Sequence, residues 1–202
     1  ILIQNQMSRQ ENIIYSKEVI EFTAIANEFC KLTESLHAQN RKDFIHNAYK
    51  LLTLLQSKTV LLPEIKLQSE YESESFVNEA DWHFIDTSIS EKLGSLELYS
   101  DLREPANPDT SSEVTISECL ADTYQDLKDF TQIYQFGNPE AILQALSECI
   151  TSFEQYWGPR IMIVIREFHL LLHGDADLEE STKEENRSSD QNKNWLDDIF
   201  KN

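Results

Sequence analysis

The run TISECLADTYQDLKDFTQIYQFG, residues 115–137, constrains this chain more than any other stretch, because it reads as one long amphipathic helix with marked ends. Thr115 and Glu118 stand three apart, as a capping box requires, so each side chain can satisfy a backbone donor of the first turn. Ile116, Leu120, Tyr124, Leu127, Phe130 and Tyr134 recur at three- and four-residue steps along one side. Gly137 predicts a left-handed helix end, and Asn138-Pro139 opens the next helix with proline where no amide donor is needed. Only 4 Gly and 5 Pro occur in 202 residues, which argues against a turn-rich β architecture.

The same logic extends along the chain. Ser16 predicts the cap of a first helix to about Leu36, with Val19, Phe22, Ala26, Phe29, Thr33 and Leu36 as its buried stripe. A polar break at Gln39 and Asn40 leads to a second helix, about Lys42 to Leu61, whose apolar face includes Phe44, Ala48, Leu51, Leu52 and Leu55. So short a link predicts antiparallel packing of the two. Asn78 caps a third helix bearing Trp82, Ile85, Ile89 and Leu93, ended by Gly94. A fifth runs from Pro139 to about Trp157, where Gly158-Pro159 predicts a break or kink. The next stretch, Ile161 to His173, is apolar nearly all round and predicts a central, buried helix. Polar segments at 64–76 and 100–113 read as long loops.

The predicted fold is therefore all-α: a single-domain bundle of about six helices with a disordered acidic C-terminal tail. Residues 1–15 read as a flexible extension and 16–173 as the helical domain. Residues 174–202 read as disordered, ending in a short amphipathic segment with Trp195, Leu196, Ile199 and Phe200.

ADTYQDLKDF (Ala121 to Phe130) and FEQYWG (Phe153 to Gly158) resemble strings of a bacterial family of small all-helical proteins catalogued as a domain of unknown function. IYSKEVIEFTAIANEFC (Ile14 to Cys30) is similar to that family's opening helix, so the resemblance spans roughly Ile14 to His173. It implies a helical fold and a bacterial cytoplasmic setting, and it brings no activity and no functional residues. Pro159 departs from the polar residue expected after the Trp-Gly pair.

Charge narrows the function classes. A net charge of -19 excludes direct binding to a phosphate backbone and disfavours anionic membranes. No apolar run approaches the roughly 20 residues of a bilayer span. Cys30, Cys119 and Cys149 lack zinc spacing and sit at apolar faces, which predicts buried thiols in a reducing compartment, hence the cytoplasm.

Four constellations invite chemistry. Glu118, Asp122, Asp126 and Asp129 share one side of the fourth helix, opposite its apolar stripe. They predict a solvated acidic face, and with Trp195 and Phe200 they form the candidate partner-binding set. Glu34-Ser-Leu-His37 and Asp43-Phe-Ile-His46 resemble halves of a carboxylate-bridged di-metal site, but both flank a turn, where polar surface residues are the simpler reading. His169 and His173 stand four apart with Arg166 on the same face, an arrangement that disfavours a cation and reads more simply as a polar strip on a buried helix, paired with carboxylates such as Glu154 or Glu167. Together with Glu154, Tyr156, Trp157 and Arg160 near the kink, Arg166 and His169 form the candidate small-ligand set, suited to an anion. No Gly-rich phosphate loop, GxSxG or HExxH occurs.

The expectation is a non-enzymatic protein-interaction or regulatory module with no metal and no cofactor. Its expected partner is a protein, with a basic nucleic-acid-handling protein as the example the acidic charge and the resemblance favour. A helical-bundle enzyme or ligand-binding protein with a metal or small anion is the alternative.

Overall fold

The computed structural model describes residues 12–65, 73–97 and 115–179. Six helices make up the described fold: α1 (Lys17–Glu34), α2 (Arg41–Thr59), α3 (Glu79–Leu93), α4 (Ile116–Phe136), α5 (Pro139–Ser152) and α6 (Gly158–His173). Two 3₁₀ turns, Leu36–Ala38 and Gly94–Leu96, and one π-helical turn, Phe153–Trp157, join or extend them. No strand occurs among the described residues.

The helix starts lie where short polar side chains capture free amides. Ser16 accepts from the Val19 amide, Asn40 from Asp43, and Asn138 from Ala141. Full capping boxes close α3 (Asn78 with Asp81) and α4 (Thr115 with Glu118). Glu97 adds a tertiary cap to α4: its backbone carbonyl accepts from Ile116 N at 3.3 Å and its Oε1 from Ser117 N at 3.1 Å. At the other end of α4 the expectation fails in one detail. Gly137 has φ -79° and ψ 163°, which is extended backbone, and among the described residues only Gly94 (φ 55°) takes the left-handed region.

α1 and α2 pack antiparallel, with Lys58 Nζ 2.6 Å from Glu21 Oε2 across the pair. Arg41 Nε donates to Lys92 O and Lys92 Nζ to Gln39 O, both at 2.8 Å, tying the α1–α2 turn to the end of α3. The centre of the bundle is α4, which packs against α1, α3, α5 and α6. From Thr115 to Tyr134 not one of its residues is exposed. This corrects the expectation that α6 is the central helix. α6 packs mainly on α2 and buries Ile161, Val164 and Phe168, while Met162 and Leu170 stand more than half exposed. Total hydrophobicity misled here, because α4 buries polar residues inside satisfied contacts. Thr123 Oγ1, for example, donates to Cys119 O at 2.7 Å.

Pro159 does not break the chain into separate helices. α5 passes through the π turn into α6, and the Gly158 amide reaches back five residues to Phe153 O. The widened turn makes room for the proline ring and absorbs its missing donor.

The packed unit also exceeds the limits read from the sequence. Ile14 is fully buried, with its carbonyl accepting from Tyr134 OH at 3.0 Å, and Leu178 rests on the core beyond the end of α6. The three cysteines are free and buried. Burial pushes the Cys30 thiol up to about 12 and raises Cys149 well above its ordinary value.

Candidate functional site

The acidic residues of α4 do not form a solvated face, because α3, α5 and the 73–78 segment cover that side. Glu118 closes its own capping box. Asp122 Oδ1 accepts from Trp82 Nε1 at 3.0 Å and Oδ2 from Tyr156 OH at 2.7 Å. Asp126 accepts from Ser152 Oγ on α5. Asp129 holds the extended segment before α3, accepting from Phe76 N (2.7 Å), Val77 N (2.9 Å) and Ser75 Oγ (2.8 Å). A helical wheel places these acids opposite the apolar stripe, but it cannot show that a second layer of structure lies over them. Burial raises the Asp126 carboxyl, helped by the charges of Asp129 and Asp122, while the Ser152 hydrogen bond opposes the shift.

The small-ligand set divides between two sides of the bundle. Tyr156 and Arg160 face α4: the Arg160 guanidinium lies 3.6 Å over the Tyr156 ring, and its Nε is 3.8 Å from Asp122 Oδ2. Burial, and then the hydrogen bond to Asp122, push the Tyr156 phenol up to about 12. Trp157 is fully buried, edge-on to Phe153, and its Nε1 has no partner among the described residues. Glu154 is exposed. Arg166 and His169 lie on the outer side of α6. Arg166 pairs with Glu167, and His169 Nδ1 stands 3.0 Å from Tyr49 OH of α2 with its ring against His173.

His37 and His46 are exposed, one in the 3₁₀ turn and one on the outside of α2. Among the described residues no group of three or more His, Cys, Asp and Glu is placed to hold a metal ion. Trp195 and Phe200 lie outside the described residues.

What the structure assembles instead is a cleft of about 510 Å³ between α1, α4, the start of α3 and the segment before it. That size is in the range of small-molecule and side-chain sites. Its inner wall is polar: Glu34 Oε1 accepts from Tyr124 OH at 2.9 Å and from Lys128 Nζ at 2.6 Å. Burial, with the Glu34 carboxylate beside it, raises the Tyr124 phenol far above its ordinary value. Asp81 and Gln132 complete the polar lining. Phe76 and Phe84 form the outer walls and are 42% and 62% exposed.

Sequence reasoning noticed Glu34 only as half of a metal motif and missed the aromatic walls. One signal was available. Phe84 is a large aromatic lying off the Trp82, Ile85, Ile89, Leu93 stripe of α3, so no helix packing explains it.

No helix of the described residues is long and apolar enough to cross a membrane. No curated protein matches the chain. Among solved structures, the chain is similar to protein BF1032 from Bacteroides fragilis, with 30% sequence identity and a TM-score of 0.70. The match covers 79% of this chain and 94% of that one. The family profile of the domain of unknown function DUF5063 matches residues 13–174, which spans the whole helical unit from the turn before α1 to the end of α6. The chain belongs to the DUF5063 family.

Proposed function

We propose that this chain is a non-enzymatic binding module that works in the cytoplasm and engages the basic segment of a partner protein through the cleft between α1, α3 and α4. One observation carries this reading. Two phenylalanines stand exposed over a cleft whose lining holds two carboxylates, Glu34 and Asp81, against one ammonium, Lys128. Exposed aromatic surface is costly to keep in water, and rings at the mouth of a concave polar site are typical anchors for a partner. The surrounding charge of -19 draws a basic chain toward the protein and repels nucleic acid and acidic proteins.

The acids that invite a catalytic reading are already engaged by Trp82, Tyr156, Ser152 and the 73–78 segment. This favours binding over acid-base chemistry. An anionic ligand at Tyr156 and Arg160 has less support, because Asp122 faces both. Three free, buried thiols fit a reducing compartment.

The test places a photo-crosslinking residue at position 84 of the full chain in its host, with the exposed position 50 as control. A discrete adduct from position 84, joined to a Lys- and Arg-rich stretch of a partner, is the expected result. The same diffuse adducts from both positions would rule the reading out.

A further inference from the structure

We infer that the cleft is an arginine-side-chain site, with Phe76 and Phe84 stacking on the guanidinium and Asp81 and Glu34 accepting its N–H groups. This rests on the proposed reading of the cleft as a binding surface for a basic segment, and it specifies the chemistry recognised.

Three features select the guanidinium. First, two of the lining side chains are phenylalanines, whose ring faces carry a negative quadrupole that attracts a cation, and a planar, weakly hydrated guanidinium stacks on such faces better than a compact ammonium does. Second, the cleft already holds a cation against its carboxylate: Lys128 Nζ sits 2.6 Å from Glu34 Oε1, which also takes the Tyr124 hydroxyl. Neither bond uses Glu34 Oε2. The two donors fix the carboxylate in place, so an incoming donor finds an acceptor that loses little freedom on binding. Third, Asp81 sits in the first turn of α3 and, among the described residues, accepts only from the Asn78 amide, at a long 3.4 Å through Oδ2. A guanidinium in the cleft therefore meets carboxylates from two helices, α1 and α3.

Other occupants fit less well. An anion would meet a lining that stays net negative, because Lys128 offsets Glu34 but not Asp81. A purely apolar anchor would leave the Glu34, Lys128 and Gln132 lining facing hydrocarbon. The chain's own segment 195–200 carries Asp197 and Asp198 between its apolar anchors, which repeats the charge of the cleft.

The test uses the full chain labelled with 4-fluorophenylalanine, with the fluorine resonances of residues 76 and 84 assigned by single replacement. Blocked peptides of four Arg-Gly, Lys-Gly or Glu-Gly repeats are titrated in. The Arg-Gly peptide should move both resonances saturably, and the Glu-Gly peptide should leave them in place. The Lys-Gly peptide should bind at least about threefold more weakly. Phe84→Ala, at an exposed position, should weaken Arg-Gly binding roughly five- to thirtyfold. Asp81→Asn, which keeps an acceptor for the Asn78 amide, should weaken it roughly two- to fivefold.

Still resonances, equal affinity for the two basic peptides, or indifference to Phe84→Ala would each overturn the assignment. So would movement of both resonances in the Trp195→Ala/Phe200→Ala variant without any peptide, which would identify the chain's own segment as the occupant. If the Arg-Gly probe fails while the position-84 crosslink to a basic partner stands, the arginine assignment falls and the binding module remains.

Discussion

Gly158 is a residue for which no other fits. A Cβ placed there would stand 2.3 Å from Phe153 O and 2.9 Å from the Phe153 ring, because the π turn brings that carbonyl and ring against the glycine. Gly158→Ala should cost at least about 2 kcal/mol, read as a lower urea midpoint at unchanged slope. Asp126 raises the opposite issue, a carboxyl group whose charged form burial and two acidic neighbours disfavour. Its folded pKa lies above the unfolded one, so its contribution to stability is present at low pH and is lost as pH rises through the folded value. Asp126→Asn keeps an acceptor for Ser152 Oγ and removes the charge. The variant should therefore be the more stable at pH 7, and the difference should close on acidification to about pH 3.5, below the ordinary Asp value. Urea midpoints across that range check it, and a gap that widens on acidification would contradict it. The cleft residues were only partly legible at this scale. Phe84 is conspicuous in the sequence as an off-stripe aromatic, whereas the pairing of Glu34 with Tyr124 and Lys128 joins residues ninety and more positions apart.

Among the elements, the segment 73–78 behaves as a strap across α4 and α5. Asp129 holds it by three hydrogen bonds, and Glu148 accepts from Ser73 N at 3.1 Å through both oxygens. Asp129→Ala should cost about 2 kcal/mol, since it removes charge-assisted bonds to backbone amides. It should also speed hydrogen exchange at Phe76 and Val77 while the amides of α1 and α2 keep their protection. Because Phe76 is a wall of the cleft, the same variant should weaken Arg-Gly peptide binding; unchanged binding with fast exchange would detach the strap from the site. Helix boundaries were the most legible feature of the sequence, because caps are local: Ser16, Asn78, Thr115 and Asn138 stand at helix starts as predicted, and Asn40, read only as part of a polar break, caps α2. The Gly158-Pro159 signal marked the right place, and of the two outcomes it allowed, a break or a kink, the break does not occur. Proline demands only that one donor and one clash be accommodated, and a π turn does that without ending the helix.

For the whole molecule, the packed unit formed by the described residues runs from the turn before α1 to Leu178. Truncation after Gly174 should leave the chain about 1–2 kcal/mol less stable than truncation after Glu179, through loss of the Leu178 contact. Thermal unfolding of the two truncated chains checks this, and equal midpoints would show that Leu178 contributes nothing. The sequence by itself determined the fold class, the six helices, the capped starts of four of them and the buried cysteines, because capping, periodicity and apolar content act within a few turns of one chain segment. Which helix stands at the centre, that the acids of α4 lie beneath a strap and two helices, and that Glu34, Lys128, Asp81 and two phenylalanines share one cleft were decided only by the tertiary structure. Those facts depend on which face of each helix meets which neighbour, and that is set by the packing of all six together, not by the pattern along any one.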